Sequence, residues 1–146
     1  MQKSRRYAAG TRAPVDASRR EVERVLARYG ADGFHYGWER RYITAGDGGS
    51  AKEEGHAVLG FLINRRRIQI DVPMPDDPRE QRRMWRVMLL LIKAKLEAVE
   101  SGIGTLESEF LANIVIHTGQ TIGGVLLPRL TEVVESGRLL PSAEKR

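Results

Sequence analysis

The chain has 146 residues, 41% of them hydrophobic and 29% charged, with a net charge of +5 and no cysteine. That length fits one domain of about 100–200 residues, the composition is globular rather than disordered, and the missing cysteines exclude disulfides, thiolate nucleophiles and Cys-ligated zinc. The N-terminal stretch MQKSRRYAAGTRAPVD lacks the apolar core of a signal peptide, and the apolar run Met88 to Ile92 is too short to cross a bilayer, so a cytoplasmic protein with no membrane partner is expected.

Residues 1–15 mix Arg, Gly, Pro and small residues without periodicity and read as a flexible basic arm, followed by a single domain over 16–140 and a tail at 141–146. Ser18 and Glu21 have the spacing of a capping box. Val22, Val25, Leu26 and Tyr29 fall on one helical face, which predicts a helix over 17–29 closed by Gly30. Residues 34–44 are rich in aromatic and β-branched side chains and read as a strand, 46–50 as a loop and 56–63 as a second strand. After a polar turn at Asn64-Arg65-Arg66, residues 67–72 alternate strictly, with Ile68, Ile70 and Val72 on one side and Arg67, Gln69 and Asp71 on the other. These three runs predict an antiparallel meander, ended by Pro73 and Pro75.

Asp77-Pro78-Arg79-Glu80 is a helix start, with Asp77 as cap, Pro78 in the first position and Glu80 completing the box. The helix extends to about Ser101, with Gly102 behind it. Trp85, Met88, Leu89, Ile92, Leu96 and Val99 form its core stripe, and Met84, Leu90 and Leu91 widen the apolar face enough to imply cover on more than one side. A short helix from Thr105 through Leu111, a strand at 113–117 and a last helix over 121–136, kinked near Pro128 and stopped by Gly137, complete the chain. The expected fold class is α+β: a three-stranded antiparallel β-meander packed against a long α-helix, with N-terminal and C-terminal helices.

The search for chemistry returns little. His35, His56 and His117 lack any metal-ligand spacing. The Gly46–Gly49 loop lacks the lysine and the following helix of a phosphate cradle, and there is no G-x-S-x-G elbow. No catalytic residue, metal or cofactor is assigned, and a non-enzyme is expected. One enzyme reading competes. The order helix, three strands, helix, strand is also that of the restriction-endonuclease-like core, which holds a metal with an Asp and an acidic residue two before a Lys. Here the third strand reads Gln69-Ile70-Asp71, then Val72-Pro73, so the lysine is missing and Gln69 replaces the carboxylate. Glu39 and Asp71 could still approach across strands, which leaves a degenerate metal-dependent nuclease-like domain as a residual alternative.

The distribution of charge says more. Residues 1–30 carry eight Lys/Arg against three Asp/Glu, and residues 78–101 carry six against three. Segregated positive charge points to a polyanion. Arg65, Arg66 and Arg67 crowd a hairpin tip where Asn-Gly would be the ordinary choice, and phosphate neutralisation would explain them. Arg40 and Arg41, flanked by Trp38 and Tyr42, interleave cations with rings, a mix suited to backbone contact plus base stacking, although Trp38 could instead be core. Arg82, Arg83 and Arg86, with Arg79, occupy the first turns of the long helix, where cations oppose the helix dipole.

Two stretches resemble a family of small, uncharacterised proteins encoded by bacteriophages and integrated prophages: RYGADGFHYGWE (28–39) with a hairpin ending IQIDVPMPD (68–76), and LLIKAKLEAVESGIGTLESEFLANIV (90–115) with GQTIGGVLLPRL (119–130). The resemblance covers about residues 19–135 and implies a mobile-element origin. More loosely, the element order is similar to the β-β-β-α core of phage single-strand annealing proteins, in which a curved hairpin sheet and a helix line a basic groove. The expectation is a non-catalytic nucleic-acid-binding protein of a phage or prophage, a single-strand DNA annealing or replication accessory. Its phosphate contacts would be Arg40, Arg41, Arg65, Arg66, Arg67, Arg82, Arg83 and Arg86, with Trp38 as a stacking platform. The alternative is a protein-binding modulator or inhibitor that the same charges steer to an acidic protein surface. A homo-oligomer is compatible with either.

Overall fold

A computed structural model describes Ala8, residues 14–44 and residues 49–139. The arm expected at 1–15 and the loop expected at 46–50 lie mostly outside the described residues, and the tail at 141–146 wholly so. The elements are α1 (Val15–Arg28), β1 (Gly33–Ile43), β2 (Lys52–Ile63), β3 (Arg66–Met74), α2 (Pro78–Glu100), α3 (Leu106–Glu109), α4 (Ile122–Leu126) and α5 (Leu130–Ser136), with 3-10 turns at Leu111–Asn113 and Leu127–Arg129. The three strands form one antiparallel sheet in the order β1-β2-β3. This is the expected α+β meander with a long helix. No helix among the described residues is long and apolar enough to cross a membrane.

The β2–β3 connection has only two residues. Asn64 and Arg65 take φ of 48° and 63°, the left-handed conformation that a tight hairpin demands at both central positions. Ile63 then pairs with Arg66 and Leu62 with Arg67. Of the three arginines expected at the tip, only Arg65 belongs to the turn, while Arg66 and Arg67 are strand residues. β3 also runs further than expected, because Pro73 lies inside it opposite His56. β3 is an edge strand, where a residue without N–H is tolerated on the unpaired side.

The register places Phe34, Tyr36 and Trp38 of β1, Ala57, Leu59, Phe61 and Ile63 of β2, and Ile68, Ile70 and Met74 of β3 on one face. α1 and α2 pack on that face side by side and point the same way, as shown by the ties Glu21–Arg86 (2.8 Å) and Tyr29–Glu97 (2.6 Å). Trp85 is 2% exposed and meets Tyr36 edge-on at 5.1 Å between centroids. Beyond it, Phe110 packs on Phe61 at 5.6 Å, and the Lys95 ammonium donates to the Glu109 carbonyl at 2.6 Å, tying α2 to α3. Asp77 caps α2 by accepting from the Arg79 amide at 3.0 Å, with Pro78 behind it, as the sequence implied.

Two local expectations are corrected. α1 begins at Val15 behind Pro14 and uses no side-chain cap. Ser18 therefore falls on the buried face, in line with Val22 and Leu26, and Glu21 turns to Arg86 instead of closing a capping box. The strand expected at 113–117 shrinks to single bridges, Ile68 with Ile114 and Val115 with Thr121. The chain doubles back at once, with Gly119 donating to the Ile116 carbonyl at 2.9 Å and Ile116 to that of Gln120 at 2.8 Å, so too few residues remain to extend along β3.

Candidate nucleic-acid interface

Strand alternation separates the two candidate arginines of β1. Arg40 shares its face with Tyr36, Trp38 and Tyr42, whereas Arg41 shares the opposite face with His35 and Glu39. On the Arg40 face, Tyr36 is half-buried against the core. Past that level, Trp38 is 50% exposed and Tyr42 74% exposed, so the cover of this face thins toward this end of the β1–β2 hairpin. The Trp38 ring rests beside Gly55, where a Cβ would lie 3.6 Å from the indole nitrogen, and the Arg40 guanidinium sits 5.3 Å from its centroid. Arg40 also reaches Glu53 at 3.1 Å. Both side chains are exposed, and such a pair is worth about 0–1 kcal/mol, little enough for a phosphate to displace it.

The same face continues along β1 toward α1. Arg19 lies 4.6 Å from the Tyr36 centroid and 5.9 Å from that of Trp85, with a neighbouring ion pair to Asp16. A cleft of about 420 Å³ opens there, lined by Asp16, Arg19, Arg20, Glu23, Phe34 and Tyr36. β1 is the other edge strand, and on this face it carries a row of rings: Phe34 and Tyr36 half-buried against the core, with Arg19 over Tyr36 and Arg20 lining the cleft, then Trp38 and Tyr42 exposed with Arg40 between them. The row spans roughly 27 Å at the usual rise of a strand. Tyr42, Arg19 and Arg20 were not among the expected contact residues. Period-two alternation alone puts Tyr42 in line with Trp38 and Arg40; the arrival of α1 beside β1 is tertiary and left no trace in the sequence.

The remaining candidates are dispersed. Arg41 binds Glu39 through Nε at 2.6 Å and Asp71 through Nη1 at 2.5 Å, and the same Asp71 lies 2.7 Å from His56 Nδ1. Partial burial pulls the Arg41 pKa down, but the bonds to Glu39 and Asp71 outweigh it and the net shift is upward. Glu39 and Asp71 do converge across the sheet, as the nuclease reading required, but they converge on Arg41. Among the described residues there is no group of three or more His, Asp or Glu side chains placed to hold a metal ion. Arg66 reaches Glu107 at 3.4 Å, Arg83 reaches Glu80 at 3.0 Å and Arg86 reaches Glu21 at 2.8 Å. The buried Arg82 Nε has no hydrogen-bond partner among the described residues.

Arg65, Arg66 and Arg67 also stand far from the helix-start arginines. β3 starts at Arg66, and α2 starts only after β3 has run its nine residues, roughly 25–30 Å along the sheet. The start of α2 adjoins the Trp38 end instead: Gly55 pairs with Met74 in the sheet, a Cβ added to it would meet both Trp38 and the Met74 carbonyl, and Gln81 of α2 donates to the Pro75 carbonyl at 2.8 Å. The structure thus brings Trp38, Arg40 and the helix start toward one end of the sheet and leaves the hairpin arginines at the other. No family model, no curated protein and no solved structure matches the chain.

Proposed function

We propose that this chain is a non-catalytic nucleic-acid-binding protein, of phage or prophage origin, that holds single-stranded DNA against the outer edge of β1 as an annealing or replication accessory. The observation that carries the reading is the exposed pair Trp38 and Tyr42 with Arg40 between them on one strand face, continued by Tyr36 under Arg19. Rings spaced along a strand offer stacking surfaces to successive bases, and the interleaved guanidinium groups follow the phosphates, a combination that binds single strands without reading sequence. The origin rests on the sequence resemblance alone.

Fluorescence anisotropy with a labelled oligonucleotide tests it. Trp38→Ala and Tyr42→Ala should each weaken binding by about 1–3 kcal/mol, the usual worth of one stacked base, and Arg40→Ala should flatten the dependence of log K on log salt by about 0.7. If the folded protein binds neither single- nor double-stranded nucleic acid at low salt, the reading is overturned, and the same cations would be left to an acidic protein surface.

A further inference from the structure

The side of α2 turned away from the sheet is apolar. Leu90 is 44% exposed and Leu91 41% exposed, although the opposite stripe of the same helix, from Trp85 to Leu96, fills the core. The exposed Leu91 and Ala94 and the half-buried Met84, Val87 and Ala98, of which Met84 also packs against the core, repeat at spacings of three and four residues, the seven-residue pattern that lets two helices mesh side by side. The pattern is also graded in size, with the larger side chains in the first half and alanines in the second. Flanking this stripe at seven-residue intervals stand Arg83, Leu90 and Glu97.

We infer that α2 is the interface of an antiparallel homodimer, with the two-fold axis passing at Leu90. In that arrangement Leu90 meets Leu90 of a second copy, and Arg83 of each copy meets Glu97 of the other. Met84 packs over the small Ala94, while Val87 meets Leu91 at the centre. A parallel pair would instead set alanine against alanine at Ala94 and Ala98, leaving a gap, and would bring no Glu97 to Arg83. Arg83 would exchange its pair with Glu80 and its contact with the Met84 sulfur, both within one turn of the helix, and Glu97 would release the Ser101 hydroxyl from one oxygen while keeping Tyr29 on the other. The partner is therefore fixed by complementarity of both size and charge. This surface lies on the far side of α2 from the sheet, so pairing leaves the β1 edge accessible.

The chain has no cysteine, which makes the geometry directly testable in the full-length protein. Sedimentation equilibrium should show a monomer–dimer equilibrium, and the double variant Leu90→Glu, Leu91→Glu should be monomeric at the same concentrations while melting cooperatively. Under mild oxidation Leu90→Cys should give a covalent dimer. Ala98→Cys should not, because its two copies would stand about 24 Å apart along the antiparallel pair. A monomer at all concentrations, a dimer that survives the double substitution, or cross-linking through Ala98→Cys but not Leu90→Cys would each overturn the inference.

Discussion

Trp85 ties together three parts of the molecule: its ring lies on the buried face of α2, meets Tyr36 of β1 edge-on and lies below Arg19 of α1. Trp85→Ala should lower stability by about 3–5 kcal/mol, the range for losing a large aromatic side chain from a core. Urea denaturation followed by circular dichroism checks it, and a change of less than about 1 kcal/mol, as for a surface position, would contradict the packing. The role of Trp85 was legible because helical periodicity alone puts it in line with Met88, Leu89 and Ile92. Arg41 shows the opposite case. Alternation separates it from Arg40, but its partner Asp71 lies thirty positions on and arrives only through the register of β2 with both neighbours. A cation in a cross-strand ion network and one left for a phosphate look alike in sequence, so the eight candidate arginines could not be sorted there.

Whole elements were legible where local signals agreed with tertiary demands. α2 has a cap, an N1 proline, an unbroken stripe and a left-handed glycine at its end, Gly102 at φ +74°, and its bounds follow from these. The expected strand at 113–117 failed because β-branched residues mark a tendency to extend, not the space to do so, and the turn at Thr118-Gly119 reverses the chain first. The segment that follows depends on one close approach. A Cβ on Gly123 would sit 2.7 Å from the Ala112 carbonyl oxygen and 3.0 Å from its Cβ, and backbone cannot swing aside as a side-chain tip can. Gly123→Ala should therefore push α4 off the 3-10 turn at Leu111–Asn113 and cost about 1–3 kcal/mol, the range for overpacking. Hydrogen exchange should localise the loss: the Val115 and Ile122 amides, bonded to Arg67 and Ile114 carbonyls, should exchange faster, while amides around Trp85 stay protected. Equal deprotection of both regions would show that the C-terminal segment and the core open as one unit.

Among the described residues, the arginines proposed to meet phosphate fall into two separate groups: those along β1 and at the starts of α1 and α2, and those at the β2–β3 turn at the far end of the sheet. A strand of DNA long enough to leave the ring row and pass the sheet would meet both, and a short one would meet only the first. The two lengths therefore separate the roles of the arginines. Each neutralised phosphate releases condensed counterion and contributes about −0.7 to the slope of log K against log salt for single strands. Replacing Arg65, Arg66 and Arg67 together by Ala should reduce the slope by roughly two units for a long oligonucleotide if all three touch phosphate. For a strand of about six nucleotides, confined to the ring row, the slope should barely change. The fold should survive, because all three side chains are exposed. Replacing Arg40 should act on both lengths alike, since it sits within the row. An equal loss at both lengths after the triple substitution would place these arginines inside the primary track and contradict the separation measured along β3. No loss at either length would make them ordinary solvated charge and confine the binding surface to the β1 edge.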